Sequence, residues 1–115
     1  EMISSAVQHI QQAGLDSPLP LKYTNTRQGI NFSWQELLFK DYESTAIWTH
    51  MGPLFIKLVQ QIDSEKAQEY QQKYKEMIEL HKSYPEVLAS EGKPFSSIIY
   101  YSDHSMLWAC NYLTL

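Results

Sequence analysis

Four histidines are the first residues in this chain whose chemistry could serve a functional site: His9, His50, His81 and His104. No two of them are three to five positions apart. Metal sites on a helix need such short spacings to bring two ligands onto one face, so the sequence predicts no metal site. His50 and His81 fall on or near apolar helical faces, where we expect a histidine at the margin of the core.

Asp103 and His104 form the sharpest polar pair, in a short break between two apolar runs. A carboxylate beside an imidazole can orient a general base. Adjacent residues in a turn usually point apart, however, and Asp is a turn former in its own right. We therefore expect this pair to form a turn that could contact a partner. A small enzyme that uses His104 or His50 as its base is kept as an alternative.

The other motifs of catalysis are missing from the sequence. The four glycines stand alone, so there is no glycine-rich phosphate loop, and neither a GxSxG nor a CxxC motif occurs. The single cysteine, Cys110, has no basic residue near it in sequence, which predicts a buried structural thiol. We expect a protein without catalytic activity or cofactor.

Acidic and aromatic residues alternate in one short segment, and this segment is the best candidate for a partner-binding surface. Its members are Trp34, Glu36, Asp41, Tyr42, Glu43 and Trp48. Tryptophan and tyrosine dominate binding hot spots, and charge steers the encounter. The alternative is that both tryptophans belong to the core and the acids only solvate the start of a helix.

Composition restricts the class of protein further. The chain has 115 residues, 13% of them aromatic, and a net charge of −4 with Arg27 as its only arginine. Scattered lysines on an acidic chain argue against nucleic-acid binding. No apolar run is long enough for a membrane span and no signal peptide is evident, so we expect a cytoplasmic protein without a membrane segment. The length predicts a single globular domain over 1–115.

Hydrophobic periodicity predicts several helices. The predicted spans are 2–13, 35–40, 43–51, 53–62, 64–83 and 85–90. Asp63 or Ser64 is expected to cap the longest of them, and its apolar stripe comprises Ala67, Tyr70, Tyr74, Met77 and Ile78. In the 43–62 region, the residues expected on one buried face are Ile47, Met51, Leu54, Phe55, Leu58 and Ile62.

Alternating polar and apolar residues predict two β-hairpins, one over Leu21–Trp34 and one in the closing segment, Gly92–Leu115. The strands of the second hairpin would be Phe95–Tyr101 and Met106–Leu113. The expected fold is therefore α+β, with a small antiparallel sheet of about four strands packed against a central group of helices. Because the closing strands are apolar on both faces, we place them at the centre of the core.

These observations favour a small acidic protein that binds, and could neutralise, another protein with a basic surface, as an inhibitor or immunity protein does. The alternative is a sensor for a small molecule, with an aromatic pocket lined by Phe95, Tyr100, Tyr101 and Trp108. The oligomeric state is left open by the sequence.

Overall fold

The computed structural model describes residues 1–26, 42, 44–97, 99–104 and 106–115, with Met106 described by its backbone alone. Within these residues the regular elements are α1 (Met2–Gln12), β1 (Ile47–Trp48), α2 (Met51–Gln60), α3 (Ser64–His81), β2 (Val87–Leu88) and α4 (Met106–Leu113). The predicted α+β class is confirmed. A sheet of about four strands in two hairpins is more than the described residues form, since their sheet has two short antiparallel strands.

Helix α3 follows its prediction closely. The Asp63 side chain accepts a hydrogen bond from the Lys66 backbone N–H at 2.9 Å, which caps the first turn. The buried residues of this helix are Ala67, Tyr70, Tyr74 and Met77, all members of the predicted stripe. The helix ends at His81, and the next residue, Lys82, has a left-handed backbone with a φ of 54°.

The core lies mainly between α2 and α3. Phe55, Ile56 and Val59 of α2 face the stripe of α3. Side chains from the rest of the chain complete this cluster, namely Val7, Leu19, Ile47, Tyr84 and Leu88. The predicted buried face of the 43–62 region is therefore wrong at Met51, Leu54, Leu58 and Ile62, which are exposed.

The sheet lies where helices were predicted. Ile47 pairs with Leu88 and Trp48 with Val87, so the predicted helices over 43–51 and 85–90 are wrong in their described parts. Ile47, Trp48 and Thr49 are residue types enriched in strands, and cross-strand pairing reinforces that preference. The carbonyls of Pro85 and Glu86 both accept from the Thr49 hydroxyl. They therefore face β1 and do not form the hydrogen bonds of a helix over 85–90.

The segment 21–24 runs beside β1 on the side opposite β2. Lys22 forms an isolated antiparallel bridge with Ile47, and the Trp48 N–H donates to the Leu21 carbonyl at 3.0 Å. The described part of the predicted first hairpin therefore pairs with β1. Its second strand, over 30–34, and the predicted helix over 35–40 lie outside the described residues.

The predicted closing strand Met106–Leu113 is helix α4. When every position of a segment is apolar, the periodicity of the sequence does not show whether the segment is a strand or a helix. The structure follows the helical period: Trp108, Ala109 and Tyr112 pack against the core, whereas Leu107 and Leu113 are exposed. Helix α4 therefore packs on the outside of the core, and the prediction that residues 106–113 lie at its centre is wrong.

Cys110 lies on the outward side of α4 and is exposed, so the predicted buried thiol is wrong. The prediction rested on the absence of basic residues near Cys110 in the sequence, and that absence does not determine which side of the helix carries the thiol.

Thr49 joins the junction between β1 and α2 to the chain before β2. Its side chain is fully buried, and its hydroxyl lies 2.6 Å from the Pro85 carbonyl oxygen and 2.9 Å from that of Glu86. Its own carbonyl accepts from the hydroxyls of Tyr74 and Tyr84, at 3.2 and 2.8 Å. One residue thus connects the sheet to α3.

We predict that Thr49→Val lowers the free energy of unfolding by about 1–3 kcal/mol, because it leaves the Pro85 carbonyl buried without a donor. Urea unfolding followed by circular dichroism measures this loss. The control is Thr114→Val near the chain end, where the hydroxyl is exposed and a change within about 0.5 kcal/mol is expected. Equal stability of the two variants would contradict the role assigned to Thr49.

Candidate functional site

The predicted acidic-aromatic segment is described only in part. Trp34, Glu36, Asp41 and Glu43 lie outside the described residues, so their grouping into a binding patch stays a prediction. Tyr42 and Trp48 are described and are half-buried. Both belong to the packing around the sheet, in a second cluster formed with Ala46, Val87 and Phe95.

A row of aromatic rings runs from this second cluster to α4. The Tyr42 ring lies 5.0 Å from Trp48 and also contacts Tyr100 at 5.1 Å. Trp48 meets the His50 ring edge-to-face at 5.7 Å, and His50 lies 4.7 Å from Trp108. Such ring pairs stabilise a fold beyond the area that they bury. The row therefore holds α4 and the start of α2 against β1.

The pocket predicted from Phe95, Tyr100, Tyr101 and Trp108 does not form as a unit. Phe95 is buried in the second cluster, Tyr101 is 76% exposed, and Trp108 lies at the other end of the aromatic row.

Asp103 and His104 do not act on each other through their side chains. The Asp103 carbonyl accepts from the Glu86 N–H at 2.8 Å, while His104 Nδ1 lies 2.6 Å from the Ser83 hydroxyl. The Ser83–His104 contact is exposed, and no carboxylate of the described residues engages the histidine. A Ser–His pair needs such a third group to orient the imidazole. The arrangement ties the connector before α4 to the end of α3, which is a structural role.

The described residues form a partly open cleft of about 600 Å³. It lies between α1, the segment 21–23 and the junction of β1 with α2. The lining residues are Ile10, Leu15, Leu21, Lys22, Tyr23, Trp48, His50 and Met51. Its volume falls in the range of small-molecule sites, and most of its wall is apolar.

Two ring nitrogens of cleft residues are unsatisfied. Trp48 Nε1 and His50 Nδ1 are shielded from solvent, and neither has a hydrogen-bond partner among the described residues. The indole N–H can only donate, so leaving it without an acceptor costs about 1–3 kcal/mol. Buried polar groups without partners are uncommon in folded proteins, so each one needs a structural or functional explanation.

A second feature is an apolar stripe on the outward face of α2 and just beyond its end, which the sequence analysis placed on a buried face. Met51, Leu54, Leu58 and Ile62 follow one another at intervals of three and four residues and are exposed by 44, 46, 40 and 43%. The spacing places all four on one face of the helix. The signal was present in the sequence, because Phe55, Ile56 and Val59 form another apolar face on the same helix. A helix that is apolar on two faces needs cover on both.

Two further findings concern metals and membranes. No group of three His, Cys, Asp or Glu residues among those described is placed to hold a metal ion. No described helix has the length and apolar character needed to cross a membrane.

Comparisons with protein-family models, with curated proteins and with solved structures find no match to this chain.

Proposed function

We propose that this protein is a non-catalytic binding module that docks on another protein through the apolar stripe of α2. The observation that carries the proposal is the exposure of Met51, Leu54, Leu58 and Ile62 along one helical face. Contiguous apolar side chains rimmed by polar ones mark interaction surfaces on soluble proteins.

The charge distribution supports the same surface. Helix α1, which contacts α2, carries no lysine, arginine, aspartate or glutamate, and Lys57 is the one such residue within α2. Helix α3, in contrast, carries seven. The centres of protein interfaces are depleted of charged residues, because burying an unpaired charge is costly. The α1–α2 side of the molecule therefore has the composition of an interface, and α3 has that of a solvated surface.

The spacing of the stripe indicates what the partner presents. Steps of three, four and four residues, from 51 to 54, 58 and 62, are those of a helix that packs along another helix. We propose a partner that packs an amphipathic helix against this apolar stripe. The net charge of −4 favours a partner surface of opposite sign around the contact. Neutralisation of that partner, as by an inhibitor, is the extension of this proposal that the sequence suggested.

The test is site-specific photo-crosslinking in the native host. A photoreactive p-benzoylphenylalanine at Leu58 is expected to capture a partner, whereas the same residue at Leu80, an exposed leucine on α3, is the control position. A protein captured at both positions, or at neither, would count against the stripe.

The captured partner is then purified and titrated calorimetrically against the protein. We predict that Leu54→Glu with Leu58→Glu weakens binding by about a hundredfold or more, since two charges would enter an apolar contact. Leu80→Glu introduces the same chemistry elsewhere and is expected to bind like the unmodified protein. Undiminished binding by the double variant would overturn the proposal, as would a crosslinked species consisting of two copies of this chain.

A further inference from the structure

The cleft between α1, the segment 21–23 and the β1–α2 junction has a chemistry that the proposed protein interface does not use. Its described lining residues include hydrogen-bond donors and a cation, and none of them is an aspartate or glutamate. Lys22 is half-buried and pairs with no acidic side chain of the described residues. A lysine without a counter-ion can form charge-assisted hydrogen bonds to an anion beside it.

The unsatisfied nitrogens point to the same kind of ligand. Trp48 Nε1 is a donor, and His50 Nδ1 can donate in one tautomer, so both can be satisfied by an acceptor. They are covered in this conformation, which means that an acceptor reaches them only if a side chain such as Trp48 rotates. The side chains of Ile10, Leu15 and Leu21 line the cleft and would contact the apolar part of a ligand.

We propose that this cleft binds a small carboxylate with an aromatic or branched apolar body. The carboxylate pairs with the Lys22 ammonium group and accepts from the Trp48 indole N–H, while the body lies against the aliphatic wall. A volume of about 600 Å³ accommodates more than one ring. The inference does not depend on the proposed protein partner, because it uses a different set of donors and needs no second protein.

The test compares 2-naphthylacetate with its uncharged amide by calorimetry on the full chain. The two probes share their body and differ in charge, so the ratio of their affinities reports the contribution of the carboxylate. We expect the acid to bind at least about tenfold more tightly than the amide. Chemical-shift changes in the ¹H–¹⁵N spectrum should concentrate at 21–23 and 48–51.

Two variants assign the effect to residues. Lys22→Gln keeps the backbone bonds of segment 21–24 and is expected to abolish the preference for the acid, whereas Lys93→Gln, at an exposed lysine outside the cleft, should retain it. Trp48→Phe keeps a ring in the aromatic row but removes the indole N–H. It should therefore weaken the binding of the acid more than the binding of the amide. Circular dichroism verifies that each variant is folded.

Equal affinities of acid and amide for the unmodified protein would overturn the proposal. The same conclusion follows if neither probe binds at about 5 mM, if Lys22→Gln retains the preference, or if the shifts lie elsewhere on the molecule.

Discussion

Gly52→Ala is expected to destabilise this protein by about 3 kcal/mol or more, although the same change in the interior of most helices is stabilising. A Cβ atom at position 52 would lie 2.5 Å from Cζ of Tyr74, and closer still to the hydroxyl of that tyrosine and to the Pro20 carbonyl oxygen. Tyr74 is fully buried and its hydroxyl donates to Pro20, so neither neighbour is the free end of a flexible side chain. Overpacking must then be relieved by movement of the backbone.

Urea unfolding of Gly52→Ala, followed by circular dichroism and by tryptophan fluorescence, measures the loss. Gln60→Ala, at an exposed position near the end of the same helix, is the matched control for helix propensity and should change stability by less than about 0.5 kcal/mol. A Gly52→Ala protein as stable as the unmodified chain would show that the approach of α2 to α3 is looser than described.

Alkaline pH is expected to produce the second large effect. Burial raises the pKa of Tyr74 well above its ordinary value of 10, and burial likewise raises the pKa of Tyr84. In the unfolded chain both phenols titrate near 10. The contribution of these two phenols to the free energy of unfolding is therefore fully present below pH 10. It is lost as the pH rises from 10 towards their pKa values in the folded protein. Over that interval, each tyrosine should lower the free energy of unfolding by about 1.4 kcal/mol per pH unit.

Unfolding free energies measured at intervals between pH 8 and pH 12 (roughly the span in which the unfolded phenols ionise) give this slope. The pKa values of Tyr70 and Tyr100 are also raised by burial, so they add to the slope. We expect Tyr84→Phe to reduce the slope, since one of these buried phenols no longer titrates. Tyr101→Phe replaces an exposed tyrosine and should leave the slope unchanged. A stability that does not depend on pH above 10 would contradict the burial of these two phenols.

The parts of the fold that could be predicted are those in which local and tertiary preferences agree. Helix α3 has a capping aspartate, a stripe of one period and a charged opposite face, and its Tyr70 and Tyr74 are buried as expected. Segment 106–113 is apolar on all sides, and only its neighbours decide that Trp108 and Tyr112 share a face. Ile47 and Trp48 form a strand because Val87 and Leu88 lie opposite, forty residues further on.

The candidate sites were harder to predict for a related reason. The stripe of α2 was recognised as apolar, but its orientation depends on which of two apolar faces meets α3. In the structure Phe55 and Val59 are buried, whereas Leu54 and Leu58 are exposed. The cleft is formed by residues from three separate segments, so no spacing within the sequence predicts it. His50 was singled out as a histidine at the margin of the core, which agrees with its half-buried place between Trp48 and Trp108.

The alternation of roles along the β1–α2 junction has a consequence for how this protein can vary. Trp48, His50 and Met51 line the cleft, whereas the intervening Thr49 and the following Gly52 are locked against Tyr74 and Pro20. The backbone of this wall is therefore held as firmly as the core, and the hydrogen-bonded amides of Trp48 and Thr49 should exchange only when the whole molecule unfolds. On the opposite wall, the Tyr23 side chain is 69% exposed and packs against neither cluster of the core. Substitutions that alter ligand preference without loss of stability should be sought there.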